Sequence, residues 1–330
     1  MVAKTFLIAL LSLTGLIPTD LPAQDSGCTR RTVAVGVADR QWNLVQGLGA
    51  ANFRGSLHGH GVQILSATVD ANPRKIVVLL DASGSMTDHE GDGWKTERTI
   101  SGYLIRFAPA QASIAFLGFS RTVLDTEGFD QDAGELLKRL SALVKVCEQR
   151  RKGLQRTALY DAIASARDLL RAPNLGDVIC PLTDAEDNMS QTTPRRVQEE
   201  LLTAGVRLFG IVMLHVPQVR GRTPEEATGP DRLHSMVEAT GGNTLFVPYG
   251  ARSEPYDDIR AKTPADAVDL ALQRLFQQMG EFYRLEVSLP GTVEKPTKWK
   301  LEVIDAGGKP MRGVEIHYPQ ELMPCANVGG

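Results

Sequence analysis

The chain has 330 residues, 42% of them hydrophobic and 23% charged, a composition that excludes a disordered polymer and leaves room for one large domain with a smaller companion. A net charge of -3 and a pI near 6.1 speak against a nucleic-acid or anionic-membrane partner, because both require a concentrated basic surface.

Residues 1–24 read MVAKTFLIALLSLTGLIPTDLPAQ: Lys4, then an apolar run over 6–11 that continues to Ile17, then Pro18 and the small residue Ala23. This is the pattern of a secretory signal peptide cleaved after Ala23. The run is shorter than the roughly 20 apolar residues that cross a bilayer. An exported chain, periplasmic or extracellular, starting near Gln24 with no stable membrane span is therefore expected. Cys28 follows Asp25, Ser26 and Gly27, which lack the apolar residue of a lipoprotein processing site.

Residues 31–37 (RTVAVGV) and 61–69 (GVQILSATV) alternate polar and apolar and predict strands of a small β-module, joined through a glycine-rich turn at 55–61 (GSLHGHG). Beyond Asn72-Pro73 the pattern changes. Residues 76–80 (IVVLL) are uninterruptedly apolar, as in strands covered on both faces of a parallel sheet. Residues 114–119, 178–182 and 208–214 predict further buried strands, and amphipathic helices lie between them. One helix has readable ends, with Thr193 as N-cap, Pro194 in the first turn, a stripe of Val197, Leu201 and Leu202, and Gly205 as C-cap. Thr263-Pro264 and Asp266 open a last helix, with the stripe Val268, Leu272, Leu275, Phe276 and Met279.

After Gly280 the period returns to two: Tyr283, Leu285 and Val287, then Trp299, Leu301 and Val303, then Met311, Val314 and Ile316. Neither flank alone has enough strands to bury a face. The predicted fold is α/β, a doubly wound, mostly parallel sheet inserted in a small β-sandwich formed by the N- and C-terminal segments. The boundaries read 1–23 signal peptide, 24–73 N-terminal β-module, 74–280 α/β domain and 281–330 C-terminal β-segment. Four cysteines, Cys28, Cys147, Cys180 and Cys325, allow three pairings in an exported chain. If the terminal segments share one sandwich, Cys28 and Cys325 are expected to lie close.

The candidate chemistry begins at the end of the first buried strand, where Asp81-Ala82-Ser83-Gly84-Ser85 has the pattern D-x-S-x-S. Ligands of open parallel sheets bind outside the carboxyl ends of the strands, where strand order reverses. A carboxylate and two hydroxyls at alternate positions there form a hard oxygen set suited to Mg²⁺. Thr157, opening TALYDAI, offers a third hydroxyl, and Asp184, ending VICPLTD, a second carboxylate. Hydroxyls outnumber carboxylates in this set. It leaves the ion's charge incompletely compensated and one coordination position open for an incoming carboxylate.

These features resemble the von Willebrand factor A family, whose metal-ion-dependent adhesion site combines D-x-S-x-S, a threonine and a later strand-end aspartate. More closely, the chain is similar to exported bacterial von Willebrand factor A-related proteins abundant in acidobacteria, through GLGAANFRG, IVVLLDASGSM, RTALYDAI, PLTDAEDN and EFYRLEV. The resemblance implies a Rossmann-like fold and a metal site of Asp81, Ser83, Ser85, Thr157 and Asp184 that holds Mg²⁺, or Mn²⁺ or Ca²⁺. The family usually has glycine before the threonine, where this chain has Gln155 and Arg156, and Arg156 places a cation near the ion. Ala185 stands in the place of a second glycine, and a positive φ there would strain it by about 1 kcal/mol.

Other signals have plainer readings. Arg150, Arg151 and Lys152 form a basic run that either steers an acidic partner or ends a helix. Asp88, His89, Glu90 and Asp92 read as a polar surface loop, and His58-Gly59-His60 as a hairpin connection. Trp42 stands where related chains have a turn glycine, and is either a capped hydrophobic contact or an exposed anchor. The expected function is a non-enzymatic, metal-dependent protein-binding or adhesion module that captures an exposed Asp or Glu of a protein partner. The alternatives are a metal-dependent hydrolase and a purely structural domain with no ion in the site. The hydrolase lacks its parts, since the chain has no H-E-x-x-H, G-x-S-x-G or P-loop, and Ser83 stands where a dehalogenase-type phosphatase needs a second aspartate.

Overall fold

The computed structural model describes residues 26–87, 92–109, 111–150, 156–215, 224–249 and 264–325. The expected signal peptide, its cleavage point, Asp88, His89, Glu90, Arg151, Lys152, Gln155 and Thr263 lie outside the described residues. Among the described residues no helix is long and apolar enough to cross a membrane.

A short helix α1 (Ser26–Thr29) leads into β1 (Arg30–Asp39), β2 (Phe53–Leu57) and β3 (His60–Asp70). The turn between β2 and β3 is tighter than the sequence pattern indicated. Residues 55–57 already belong to β2, and only His58 and Gly59, with φ of 51° and 83°, make the connection. Positive φ at both central residues is the twist-matched geometry of a two-residue hairpin.

The chain then builds β4 (Lys75–Asp81), α2 (Gly84–Thr87), α3 (Asp92–Phe107), β5 (Ser113–Phe119), β6 (Val123–Asp130), α4 (Ala133–Arg150), α5 (Leu159–Leu170) and β7 (Val178–Thr183). It continues through α6 (Pro194–Ala204), β8 (Arg207–Leu208), β9 (Gly210–His215), α7 (Pro224–Ala239), β10 (Thr244–Tyr249) and α8 (Pro264–Gly280). It closes with β11 (Phe282–Ser288), β12 (Thr297–Val303), β13 (Val314–His317) and β14 (Glu321–Leu322).

Strands β4 to β10 form a sheet of order β10-β9-β7-β4-β5-β6, with β8 also paired to β7. All pairs are parallel except the β5–β6 hairpin. In chain order this is 3-2-1-4-5-6 read from the β6 edge, the doubly wound topology whose switch point lies between its first and fourth strands. Those strands are β4 and β7. The apolar runs are explained by burial on both sides. Ile76, Val78 and Leu80 face a core with α3, α4 and α8, whereas Val77 and Leu79 face one with α5, α6 and α7. Helix α6 has the expected ends: Thr193 accepts a hydrogen bond from the Arg196 N–H, and Gly205 is left-handed at φ 65°. The expected strand at 208–214 is broken at Phe209 into β8 and β9. Trp42, at φ 64°, is half-buried and packs against the α3, α4 and α8 core, a hydrophobic contact and not an exposed anchor.

The remaining strands form one antiparallel path, β13-β1-β11-β3-β2-β12-β14. Where a two-layer sandwich was expected, the hydrogen bonds link the strands of both termini into a single sheet. β11 lies between β1 and β3, so the C-terminal segment completes a sheet that the N-terminal segment leaves open. The chain leaves this sheet at Asp70 and re-enters at Phe282, and these two residues are directly paired. Val33, Val35, Val37, Leu285, Val287, Trp299 and Leu301 form its core.

The crossing point is held by charge and aromatic contact. Burial alone would raise the Asp70 carboxyl, but the Asn72 N–H, Arg74 and Arg284 bring it down to about 2. The Arg74 and Arg207 guanidinium groups lie 4.7 and 4.6 Å from the Phe282 ring centroid. Arg207 also donates to the carbonyls of Gln278 and Met279 at 3.1 and 2.7 Å, closing the end of α8.

A Cys28–Cys325 disulfide joins residues 297 positions apart, and Cys147 and Cys180 are free and buried. Closing so long a loop removes much of the unfolded chain's freedom. Cys28→Ser is expected to lower stability by about 2–5 kcal/mol, read as a fall in urea midpoint. A midpoint equal to wild type, or peptide mapping that links Cys28 to Cys147 or Cys180, would contradict this arrangement.

Candidate metal centre

β4 ends at Asp81, at the carboxyl edge of the sheet, where its pairing with β7 stops at Leu80 and Leu182. In doubly wound sheets ligands bind at this point, where the connections leave in opposite directions. Asp81 is fully buried. Its Oδ1 accepts from the Ser83 N–H at 3.0 Å and its Oδ2 from the Thr183 hydroxyl at 2.5 Å. The Ala82 N–H donates to the Phe119 carbonyl at 2.8 Å, so the loop begins as a continuation of the sheet. It then curls into α2, which brings the Ser83 and Ser85 hydroxyls within 3.2 Å of each other.

Thr157 is buried, and its loop is tied on both sides. The Ser120 hydroxyl donates to the Arg156 carbonyl at 3.0 Å, and the Ala158 N–H to the Ser120 carbonyl at 2.8 Å. The Thr157 N–H donates to Asn188 Oδ1 and the Asn188 N–H to the Thr157 carbonyl, both at 3.1 Å. Asp187 Oδ1 accepts from the Leu159 N–H at 2.9 Å. Asn188 and Asp187 belong to the segment that follows Asp184, so the threonine and aspartate loops are locked together.

Asp184 is half-buried just beyond β7, and its Oδ1 accepts from the Glu186 N–H at 3.2 Å. Ala185 has φ 65°, the left-handed conformation that strains an alanine. Its N–H donates to the Thr183 hydroxyl at 3.0 Å. Thr183 thus bridges the Asp81 carboxylate to the Asp184 loop. Arg156 is exposed and donates to the Met189 sulfur at 3.4 Å. Arg150 donates to the Leu124 carbonyl, anchoring the end of α4.

One residue of the crevice was not expected. Glu97, on α3, is fully buried and accepts from the Asp81 N–H at 2.5 Å. Glu97 Oε2 has no hydrogen-bond partner among the described residues. Burial pushes the Asp81 carboxyl up to about 7, and the negative charge of Asp184 adds to it. Glu97 is held well above the usual carboxylate range by burial, then by the charges of Asp81 and Asp184. Such a concentration of buried acid is unfavourable alone and is relieved by a cation.

The donor set fits a hard divalent ion: carboxylates from Asp81 and Asp184, hydroxyls from Ser83, Ser85 and Thr157. Among the described residues no three His, Cys, Asp or Glu side chains gather as a metal-binding cluster. A site of two carboxylates and three hydroxyls needs no such cluster.

No family model matches the chain, and no curated protein does. Among solved structures it is similar to the conserved hypothetical protein BatB from Bacteroides thetaiotaomicron, with 14% identity, a TM-score of 0.46, and 62% of this chain and 98% of that one covered. It is similar to a von Willebrand factor type A protein from Catenulispora acidiphila, with 14% identity, a TM-score of 0.43, and coverage of 89% and 75%. A third is the SpRpn10 VWA domain, with 12% identity, a TM-score of 0.37, and coverage of 54% and 90%.

Gly229 of α7 packs directly on the loop that carries Asp184. A Cβ at this position would stand 2.2 Å from the Ala185 carbonyl oxygen, so backbone must move to admit it. Gly229→Ala is expected to cost about 1–3 kcal/mol, measured by denaturant unfolding. Wild-type stability in this variant would show that α7 does not rest on the loop in this way.

Proposed function

We propose that the chain is an exported von Willebrand factor A-type module in which Asp81, Ser83, Ser85, Thr157 and Asp184 hold Mg²⁺, or Mn²⁺ or Ca²⁺, and that it binds a protein partner through an exposed Asp or Glu. The observation that carries this reading is the fully buried Asp81 at the switch-point crevice, with Asp184 close enough for the two charges to act on each other.

Each residue has a separate task. Asp81 fixes the serine loop through the Ser83 N–H and supplies charge, and Ser83, Ser85 and Thr157 offer neutral oxygens from two loops. Asp184 supplies charge from the far side of the crevice. When bound, the ion contributes an electropositive centre for an acidic ligand. Recognition of that ligand, and not a bond-breaking step, is the task of the site: the chain lacks the usual catalytic motifs. Export is supported by the apolar segment at 6–17 and by the Cys28–Cys325 disulfide, since such bonds persist in oxidising compartments. In this reading residues 24–73 and 281–330 form one β-unit around an adhesion domain at 74–280.

Thermal unfolding with and without Mg²⁺ tests the proposal. A ligand bound only by the native state stabilises it by about 2.7 kcal/mol at a hundredfold excess over Kd. The wild-type protein should show such a shift, and Asp81→Ala should lose it while its metal-free fold persists. Ser83→Ala and Thr157→Ala, each removing one neutral oxygen, should reduce it less. An unchanged Mg²⁺ response in Asp81→Ala would refute the site. Absence of any response in the wild type would favour a purely structural domain.

A further inference from the structure

Arg207 opens β8 opposite Val178, at the amino edge of the parallel sheet, the edge away from Asp81 and Asp184. It is buried, its terminal nitrogens are spent on the carbonyls of Gln278 and Met279, and its Nε has no hydrogen-bond partner among the described residues. Burial, with the charge of Arg74 adding to it, brings its pKa down to about 9, and Asp70 and Asp177 offset this only in part. Both of those acids are engaged elsewhere. Asp70 is divided between Arg74 and Arg284, with Arg284 Nε and Nη2 on its Oδ2 at 2.7 and 2.6 Å. Asp177 accepts from the Lys75 and Asn174 N–H groups at 2.9 and 2.8 Å. Three guanidinium groups therefore meet a single ion-pairing carboxylate, and a buried cation without its own counter-charge is costly.

Arg207 and Arg284 line a cleft of about 450 Å³ between β1, the end of α6 and the C-terminal strand β14. Arg31 lines it too, held against the C-terminal segment by donating to Cys325 Sγ at 2.9 Å and to the Met323 carbonyl at 3.5 Å. Sites for small molecules have volumes of roughly 300–1,000 Å³. The acidic side chain among the described lining residues is Glu321, which Arg195 engages at 2.7 Å. Half-buried Leu175, Leu202 and Met323 add apolar wall. The Arg284 side chain is 38% exposed and Arg31 is half-buried, so both are open to a ligand, whereas Arg207 contributes charge alone. A carboxylate matches the guanidinium fork, and an apolar body gains by covering the wall.

We propose that this cleft binds a small amphipathic carboxylate, its head on Arg31 and Arg284 and its apolar body along Leu175, Leu202 and Met323. The site is independent of the metal centre, which lies at the carboxyl ends of the strands. Because β1, α6 and β14 meet in the cleft, the bound molecule bridges the terminal sheet and the α/β domain.

The test is calorimetric titration of octanoate into the purified protein in EDTA, which separates this site from any bound metal ion. Octanol and inorganic phosphate serve as comparison ligands, and melting temperatures are measured without octanoate. Octanoate should bind at least about tenfold more tightly than either, as expected where a charge-assisted hydrogen bond and apolar burial act together. Arg31→Gln should weaken octanoate about tenfold or more without lowering the melting temperature, and Arg31→Lys, which restores charge, should recover part of the loss. No octanoate binding in the wild type, equally tight binding of octanol, or wild-type affinity in Arg31→Gln overturns the inference. If Arg31→Gln melts lower, the lysine variant decides. Recovered affinity upholds the site, and a loss in both variants assigns Arg31 to the fold and overturns it.

Discussion

A carboxylate buried at the end of a parallel strand is the constraint around which this structure is arranged. Asp81 has no exposed surface, and an ionised group taken from water must be compensated by hydrogen bonds or by opposite charge. The hydrogen bonds come from the Ser83 N–H and the Thr183 hydroxyl, one from its own loop and one from the neighbouring strand end. Opposite charge is not supplied by these partners, and the charged neighbours that act on Asp81 and Glu97 are themselves acids. The architecture thus gathers acidic side chains at the carboxyl ends of β4 and β7. On the proposed reading, a divalent cation offsets that charge.

Holding such a site together requires a rigid frame, and the frame is built from the two ends of the chain. β11 separates β1 from β3, and Asp70 pairs with Phe282 at the point where the inserted domain begins and ends. Arg74 and Arg207 on the Phe282 ring, with Asp70 between Arg74 and Arg284, join the sheets at this crossing. The disulfide ties the same two ends a second time. On the other side of the domain, Asn188 and Asp187 link the threonine loop to the aspartate loop, so that the ends of β5 and β7 and the start of α5 keep a common geometry.

Much of this was legible in the sequence because it follows from periodicity and local chemistry. The apolar runs at 76–80, 114–119 and 178–182 are central strands, and the Thr193, Pro194 and Gly205 signals delimit α6. The return to alternation after Gly280 marks the strands that rejoin the first segment. What escaped depends on contacts between distant residues. A run of apolar residues does not report that Phe209 interrupts it, nor does GSLHGHG report that two residues suffice to turn. Glu97 left a faint signal, a carboxylate at the position of α3 where Trp94, Ile100 and Leu104 define the buried stripe. Thr183 and Asn188 left none, since their roles exist only once β4, β7 and the loop before α5 are brought together. Ala185 carried a legible expectation, positive φ in place of glycine, and its φ of 65° agrees with it.

Equilibrium dialysis of the purified protein against Mn²⁺, with Mg²⁺ as competitor, measures directly whether the buried acids form a metal centre. The account predicts one bound ion per chain, displaced by Mg²⁺ and lost in Asp184→Asn, which preserves shape and removes charge across the crevice from Asp81. No bound ion in the wild type, or one bound equally well in Asp184→Asn, would contradict it.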